Sequence, residues 1–186
     1  MDLIELMAFV TNVFDELSIP HFITGSCASI SYGEPRLTND IDIVADIAPE
    51  KIEKLLARFP QEEFYISEDA VKQALAFKNQ FNIIHPSSGL KVDVMIRHNS
   101  KFDDSRFCRV RNLNITGKNQ IAFASPEDVI IKKMEYFKLG GSEKHLRDIT
   151  GILRLSGESI DKNYISEWVR ILGLEDIWKA IIERAR

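Results

Sequence analysis

The chain has 186 residues, and its 24 Lys and Arg against 28 Asp and Glu give a net charge of -4 at pH 7. This length suits one domain, or a compact half with a helical appendage, and the mild acidity argues against bulk affinity for nucleic acid. No apolar run is long enough to cross a membrane, and two cysteines without metal-ligand spacing, with no basic region at the N-terminus, lead us to expect a cytoplasmic protein with reduced thiols.

The first half of the chain predicts alternating helices and strands. Apolar residues recur at helical spacing over 3–17, and a Ser-Ile-Pro sequence ends that helix. Two apolar runs at 81–85 and 90–97, separated by a Pro-Ser-Ser-Gly turn, predict a β-hairpin and therefore a mixed sheet. The other elements predicted here are strands at 22–24 and 40–45, a short edge strand at 64–66, and helices at 26–32, 49–59 and 68–77.

Beyond residue 97 the predicted structure becomes mainly helical. Ser125 as cap, Pro126 at the first position and two acids in the first turn are typical of a strong helix start. We therefore expect an α/β core at 1–124 and a helical C-terminal subdomain at 125–186. The elements predicted in this part are a helix at 102–107, an extended segment at 108–113, a strand at 121–124, and helices at 126–139 and 143–155 and from residues 161 and 174.

The most informative pattern is a pair of acids on one strand. Side chains alternate between the two faces of a strand, so Asp40 and Asp42 share one face while Ile41 and Ile43 point into the core. Two carboxylates roughly 6 to 7 Å apart repel by about 2.5 kcal/mol at an effective dielectric of about 20. A bound cation would offset this cost, and hard divalent ions prefer carboxylate oxygens. A solvated strand face is the alternative interpretation of the pair alone.

The second strand of the hairpin supplies a third acid. Its apolar residues share one face and Asp93 lies on the other. If this strand pairs beside that of Asp40 and Asp42, three acids meet at one sheet edge, opposite the turn formed by Gly25 and Ser26. Backbone N–H groups at a turn that opens a helix form an anion site. Metal-binding acids that face a phosphate-binding turn suit phosphoryl or nucleotidyl transfer with two metal ions.

The order and spacing of these residues resemble a known superfamily. Gly25 and Ser26, followed by Asp40 and Asp42 and later by Asp93, are similar to the nucleotidyltransferase superfamily that includes DNA polymerase beta and antibiotic adenylyltransferases. The fuller string Gly-Ser-x-Ala … Tyr-Gly-x-Pro-Arg-x-Thr-x-Asp-x-Asp resembles a bacterial branch related to abortive-infection nucleotidyltransferase toxins. The resemblance covers about the first half of the chain, with a looser extension into the second.

This resemblance implies a nucleotidyltransferase-type mixed α/β sheet that carries a C-terminal helical bundle. The implied reaction moves a nucleoside monophosphate from a nucleoside triphosphate to an acceptor hydroxyl. Asp40, Asp42 and Asp93 are the expected catalytic residues and ligands of two Mg²⁺ ions, for which Mn²⁺ could substitute. Gly25 and Ser26 are expected to bind the β and γ phosphates.

Two residues ahead of the acids are candidates for nucleotide binding. Arg36 could hold phosphate charge that the metal ions leave unneutralised, or it could be an ordinary surface arginine. Thr38 is a further candidate, although a hydrogen bond within the loop would also explain it.

Three lysines in the helical part are also considered. Either Lys132 or Lys133 lies near the buried boundary of its helix, and it could reach the nucleotide or be solvated. The looser resemblance suggests that Lys144 and Asp148 line the cleft. Their i, i+4 spacing would equally give a plain helical ion pair.

The sequence does not identify the acceptor of the nucleoside monophosphate. The basic stretch over 97–118 could steer an anionic acceptor such as RNA, or it could be a solvated loop face. One function is therefore the toxin of a toxin–antitoxin pair, which would modify tRNA and bind a cognate antitoxin. A second is adenylylation of a small molecule such as an antibiotic, and a third is a nucleotide-binding or interaction module without catalysis. The sequence has no P-loop, no Rossmann glycine fingerprint and no Cys or His metal motif.

Overall fold

The computed structural model describes residues 1–115 and 120–184, and in these two stretches the chain forms one six-stranded sheet. The strands are β1 His21–Thr24, β2 Asp40–Ala45, β3 Gln80–His85, β4 Leu90–Ile96, β5 Arg111–Asn114 and β6 Gln120–Phe123. Their order in the sheet is β3-β4-β2-β1-β6-β5. β2 pairs with β4 and β1 with β6 in parallel, whereas the other three pairs are antiparallel. The predicted mixed sheet is confirmed.

Helices precede, connect and follow these strands. In the described residues they are α1 Leu3–Glu16, α2 Gly25–Tyr32, α3 Ile52–Leu56, α4 Glu68–Phe77, α5 Lys101–Cys108, α6 Pro126–Gly140, α7 Glu143–Ser156, α8 Lys162–Leu172 and α9 Glu175–Arg184. Short 3-10 turns lie at Pro49–Lys51 and Gly157–Ser159. None of these helices is long and apolar enough to cross a membrane.

Two predicted elements differ from the structure. The edge strand expected at 64–66 is absent from the described sheet, because only Tyr65 pairs there, in a single bridge to Ile84. The helix expected over 49–59 is divided into a 3-10 turn and the five-residue α3.

Capping side chains explain why several helices begin where the sequence places them. The Ser125 hydroxyl accepts a hydrogen bond from the Asp128 N–H, and Ser67 accepts one from the Ala70 N–H. These bonds satisfy amides that have no partner inside the helix. Ser142 also precedes a helix, as predicted, but its side chain makes no capping hydrogen bond.

Buried apolar side chains form a core that joins the sheet to helices from both parts of the chain. Phe14 of α1, Ile43 of β2, Ile130 of α6 and Ile165 of α8 are all fully buried in it. Helices α6 and α7 both contact α2 directly. The C-terminal helices therefore pack on the sheet-containing part, and a division at residue 125 into two subdomains stays a prediction.

Candidate active site

Three acids lie on one face of two adjacent parallel strands. In the register of β2 and β4, Asp42 lies opposite Asp93 and Asp40 lies opposite Lys91. Ile41, between the two acids of β2, is fully buried and so points to the other face. The strand pairing that the sequence could only suppose therefore brings the three carboxylates to one place.

Asp42 also contacts the turn that begins α2. Gly25 has a φ of +59°, and a Cβ added to it would clash with the Asp42 carboxylate. The Ser26 N–H donates a hydrogen bond to Oδ2 of Asp42 at 3.3 Å. Glycine is required here on both counts, since it tolerates positive φ and leaves room for the carboxylate. The Ser26 N–H, one of the groups expected to bind an anion at this turn, therefore already has an acceptor.

The surroundings of Asp42 favour the neutral form of its carboxyl group. Burial raises the pKa of its carboxyl, and the nearby Asp93 and Asp40 raise it further. The hydrogen bond from Ser26 and the charge of Lys133 act in the opposite direction. An added cation beside Asp42 would therefore favour the charged carboxylate.

Lys91 supplies a positive charge among the three acids. Its Nζ lies 2.9 Å from Oδ2 of Asp93 and 3.8 Å from Oδ1 of Asp40. The hydrogen bond to Asp93 raises the pKa of the Lys91 ammonium. The other carboxylate oxygen of Asp93, Oδ1, lies 2.8 Å from the Asn82 amide, which is oriented to donate. Asp93 is thus held in place by two neighbouring side chains.

The carboxylate oxygens of these acids are chemically suitable ligands for a divalent cation. In the structure, however, the side chains are arranged around the ammonium group of Lys91. Carboxylate oxygens are the usual ligands of Mg²⁺ and Mn²⁺. Within residues 1–115 and 120–184, however, no three Asp, Glu, His or Cys side chains converge closely enough to enclose an ion. Asp40 and Asp93 instead face the Lys91 ammonium. A cation bound by Asp40 and Asp93 would have to replace that ammonium group.

A second ionic cluster, formed by Arg36, Lys133 and Asp148, contacts the turn through Ser26. The guanidinium of Arg36 makes two hydrogen bonds of 3.1 Å to the Asp148 carboxylate, and its Nη2 donates to the Ser26 hydroxyl at 2.7 Å. Lys133 Nζ lies 2.6 Å from Oδ2 of Asp148. Arg36 is therefore neither a solvated surface arginine nor free to bind phosphate as it stands. It orients Ser26.

In this cluster, burial and the neighbouring charges shift the pKa values of Asp148 and Lys133 in opposite directions. Burial raises the pKa of Asp148, but the hydrogen bonds from Arg36 and Lys133 outweigh it and hold the pKa below its usual range. Burial lowers the pKa of the Lys133 ammonium, and Asp148 counters this. Asp148 is bound by Arg36 and Lys133, so in the described residues its partner is not Lys144, which the i, i+4 spacing had suggested.

A cleft of about 320 Å³ opens beside the Gly25 turn. Its lining includes Gly25, Ser26, Asp42, Lys132, Lys133 and Lys144. Arg106 and Tyr136 also contribute to its wall. Four Lys and Arg side chains face one carboxylate in this lining, which suits an anionic ligand. Three of them, Arg106, Lys132 and Lys133, are also paired with carboxylates outside the lining.

Most of the predicted site residues meet at this cleft or next to it. Asp40 and Asp93 lie on the same sheet face as Asp42 but are not in the cleft lining. Thr38 is placed apart from the cleft. Its hydroxyl lies 3.3 Å from the Asp40 carbonyl oxygen and 3.5 Å from the Asp40 N–H, as a loop residue would.

Solved structures with the same architecture include an antibiotic-resistance factor and an antibiotic adenylyltransferase. The antibiotic-resistance factor ANT(2'')-Ia matches with a TM-score of 0.58 at 16% identity, over 99% of this chain and 98% of that one. The lincosamide adenylyltransferase LnuA, with lincomycin bound, matches at 0.54 and 14%, over 82% and 96%. An antigenic nucleotidyltransferase-like protein of Paracoccidioides brasiliensis matches at 0.54 and 21%, over 83% and 78%. The sequence itself matches no protein-family model and no curated protein.

The chain has the nucleotidyltransferase fold. At these identities the similarity establishes the architecture, which agrees with the predicted fold class. It does not extend to the abortive-infection branch, which stays a prediction.

Sequence reasoning missed two cations of this nucleotidyltransferase fold. Lys91 stands two residues before Asp93, so strand alternation alone puts both on one face and could have found it. Arg106 lines the cleft from α5 and is almost fully buried, paired with Asp103. No local pattern marks Arg106, because its burial depends on how α5 packs against the rest of the chain.

Proposed function

We propose that the protein transfers a nucleoside monophosphate from a nucleoside triphosphate to an acceptor hydroxyl and releases pyrophosphate. The observation that carries the proposal is the contact between Asp42 and the turn of Gly25 and Ser26, in the wall of a cationic cleft. An acid that approaches a helix N-terminus so closely places a cation ligand beside an anion-binding site. Nucleotidyl transfer requires that combination.

The cleft provides for the triphosphate. Lys132, Lys133 and Lys144 line it together with the first residues of α2. Their ammonium groups and the positive end of the helix dipole would attract and orient the β and γ phosphates. Arg36 would act indirectly, by holding the Ser26 hydroxyl in position.

The three carboxylates would hold Mg²⁺ or Mn²⁺. Bound divalent ions supply charge neutralisation on the phosphates and an oriented acceptor oxygen. Asp42 would act nearest the phosphates, since it contacts the turn. Asp93, held by Asn82, would take the proton of the acceptor hydroxyl. The acceptor oxygen then bonds to the α phosphorus as the bond from that phosphorus to pyrophosphate breaks.

A small-molecule acceptor fits this chain better than tRNA. Three arginines of the basic stretch, Arg97, Arg106 and Arg109, are each paired with carboxylates of the same chain. Their charge is therefore largely compensated within the chain, which weakens the case that this stretch attracts RNA. Lys118, which belongs to the same stretch, lies outside the described residues. A second cavity of about 540 Å³ shares Gln80, Met95 and Arg106 with the first and offers room for an acceptor.

The solved neighbours point the same way. ANT(2'')-Ia is described with adenylyl-2''-tobramycin and LnuA with lincomycin, and both align with most of this chain. The tRNA-modifying toxin, with its antitoxin partner, is supported by sequence resemblance alone. A non-catalytic module would gain nothing from three clustered acids that repel one another.

The test is transfer of label from nucleotide to acceptor. The protein is incubated with each α-labelled triphosphate, Mg²⁺ and a cell extract, with and without a chelator, and the products are separated into RNA, protein and small molecules. We expect label in the small-molecule fraction, lost with chelator. Label in RNA would favour the toxin function instead. Nucleotide binding without any transfer would contradict the proposal and favour the non-catalytic module.

A further inference from the structure

Lys91 occupies a particular place among the three acids. It lies directly across from Asp40 in the β2–β4 register and two residues before Asp93 on the same strand face. Its Nζ contacts both carboxylates, at 3.8 Å and 2.9 Å. The three groups thus form a compact unit in which one ammonium stands between two carboxylates.

The burial of these side chains shows which of them can move. The Asp93 side chain is 14% exposed, whereas that of Lys91 is 36% exposed. Asp93 is also held by Asn82 from β3. A lysine carries its charge on a flexible four-carbon stem and can turn its ammonium into water. The carboxylate is therefore the fixed part of the pair and the ammonium the movable part.

An ammonium and a divalent ion cannot use the same carboxylate oxygens together. Mg²⁺ binds oxygen at about 2.1 Å and requires near-octahedral geometry, so it needs the space that Lys91 Nζ fills. Two cations so close would also repel each other strongly. Binding of the ion at Asp93 and Asp40 therefore requires that Lys91 withdraw.

We propose that Lys91 is a built-in counter-ion of the nucleotidyl-transfer site, which neutralises Asp40 and Asp93 in the metal-free protein and is displaced when a divalent cation binds there. This inference rests on the proposed function, since the cation is the one that the transfer reaction requires. It makes Lys91 a residue that sets the metal affinity of the site and protects the apo protein from the repulsion of its own acids.

The proposal requires two effects of opposite sign when the ammonium is removed. The metal-free protein becomes less stable, because Asp40, Asp42 and Asp93 lose their compensating charge. The same change strengthens binding of the divalent ion, because no competing cation has to leave. A lysine with a merely structural role would lower stability with and without metal and would leave metal affinity unaltered.

The experiment compares the wild-type chain with Lys91→Met, Lys91→Gln and Lys91→Arg. Lys72→Met is the matched control, since Lys72 pairs with Glu68 at 2.7 Å on α4, away from the three acids. Mn²⁺ binding is measured by calorimetry without nucleotide, and thermal unfolding is followed in chelator and in saturating Mn²⁺.

We expect Lys91→Met and Lys91→Gln to bind Mn²⁺ about tenfold more tightly than the wild type, because a repelling charge has been removed. Their midpoints of unfolding should fall in chelator and rise more on Mn²⁺ addition. Lys91→Arg, which keeps the charge, and Lys72→Met should both bind the ion like the wild type.

Two results would overturn the proposal, and they are distinguishable. If the wild type binds Mn²⁺ and transfers label but Lys91→Met and Lys91→Gln have unchanged affinity, Lys91 is not a counter-ion and the proposed function stands. If none of the proteins binds Mn²⁺ and no label is transferred, the proposed function fails and the role of Lys91 fails with it.

Discussion

Gly25 and Gly89 both adopt the left-handed backbone conformation, with φ of +59° and +70°. Their surroundings differ. A Cβ at Gly25 would clash with the Asp42 carboxylate, whereas a Cβ at Gly89 would meet nothing within 4 Å. The pair therefore separates the cost of backbone strain from the cost of intruding on the site.

Replacement of these glycines gives the first prediction. Gly25→Ala and Gly89→Ala should each lose on the order of 1 kcal/mol of unfolding free energy from positive φ. Gly25→Ala should in addition abolish transfer, because Asp42 is pushed from its place. Urea denaturation and initial rates on both variants check this. Comparable rates in the two variants would show that the contact with Asp42 does not matter for the reaction.

His21 gives a prediction of pH dependence. Burial lowers the pKa of this histidine, and the carbonyl of Ile19 and the charge of Asp15, which raise it, do not fully compensate. The pKa of the folded state is then below the unfolded value of about 6.5, so the unfolded state binds more protons on acidification. The stabilisation is complete above about pH 6.5 and is lost as the pH falls below it.

We expect the unfolding midpoint of the wild type to decrease from pH 7 to pH 5, and His21→Gln to reduce that decrease. Thermal unfolding across this range measures it, with the exposed His98 replaced by Gln as control. An identical slope in His21→Gln and the wild type would exclude His21 as the cause.

At the scale of elements, α7 is joined to the loop after α2 by two ion pairs of different character. Asp148 binds Arg36 and Lys133, and the Asp148 and Lys133 side chains are only 7% and 6% exposed. Arg154 binds Glu34 at 2.7 Å, with both side chains at least half exposed. The Asp148–Arg36 and Arg154–Glu34 pairs both join α7 to the loop after α2, so the buried and the exposed carboxylate contacts of this junction can be compared directly.

Asp148→Asn should lower the free energy of unfolding by about 3 kcal/mol, because Lys133 is left buried without its partner. Arg154→Gln should cost less than about 1 kcal/mol, since an exposed pair contributes little. Chemical denaturation of both variants measures the difference. Equal losses would contradict the view that Asp148 secures this junction.

The limits of sequence prediction are clearest at this scale. Alternation in β2 and β4 identifies which face each acid occupies, and capping residues identify the start of α6. The acids in the first turn of α6, Glu127 and Asp128, suggest only a favourable helix dipole. In the fold they are buried and bind Arg109 and Tyr164, which lie on other elements. Such partners are set by tertiary packing, and no local pattern reports them.

The parallel pairing of β2 with β4 is unpredictable for the same reason. Period-two patterns give each strand a buried face but do not name its neighbour. The sequence analysis could only suppose that neighbour, and the structure supplied both the pairing and the register that sets Asp42 beside Asp93. The fold class and the strand faces of the acids and of Lys91 were thus accessible from the sequence, whereas the partners of Arg36 and Arg106 were not.

For the molecule as a whole, net charge and local charge have opposite signs. The chain carries -4, yet four Lys and Arg side chains and one carboxylate line the cleft. Lys144 belongs to this lining, whereas Lys179 on α9 is exposed elsewhere. The field that attracts a triphosphate is therefore local to the cleft.

Lys144→Ala should raise the KM for nucleotide several-fold with a smaller change in kcat, because it removes one charge that holds the phosphates. Lys179→Ala should leave both constants unchanged. Steady-state kinetics at low and moderate salt measure these effects. An unchanged KM in Lys144→Ala at low salt would place the triphosphate outside this cleft.

The turnover of Asp42→Asn gives the sharpest test of the proposed active site. This change keeps the size of the side chain but removes the charge that faces the Gly25 turn, and Asp69→Asn on the surface of α4 is its control. Label transfer is measured alongside thermal unfolding. We predict that Asp42→Asn folds and loses transfer by about a thousandfold or more, as expected when charge stabilisation dominates catalysis, while Asp69→Asn retains it. Transfer at the wild-type rate in a folded Asp42→Asn protein would contradict the proposed site.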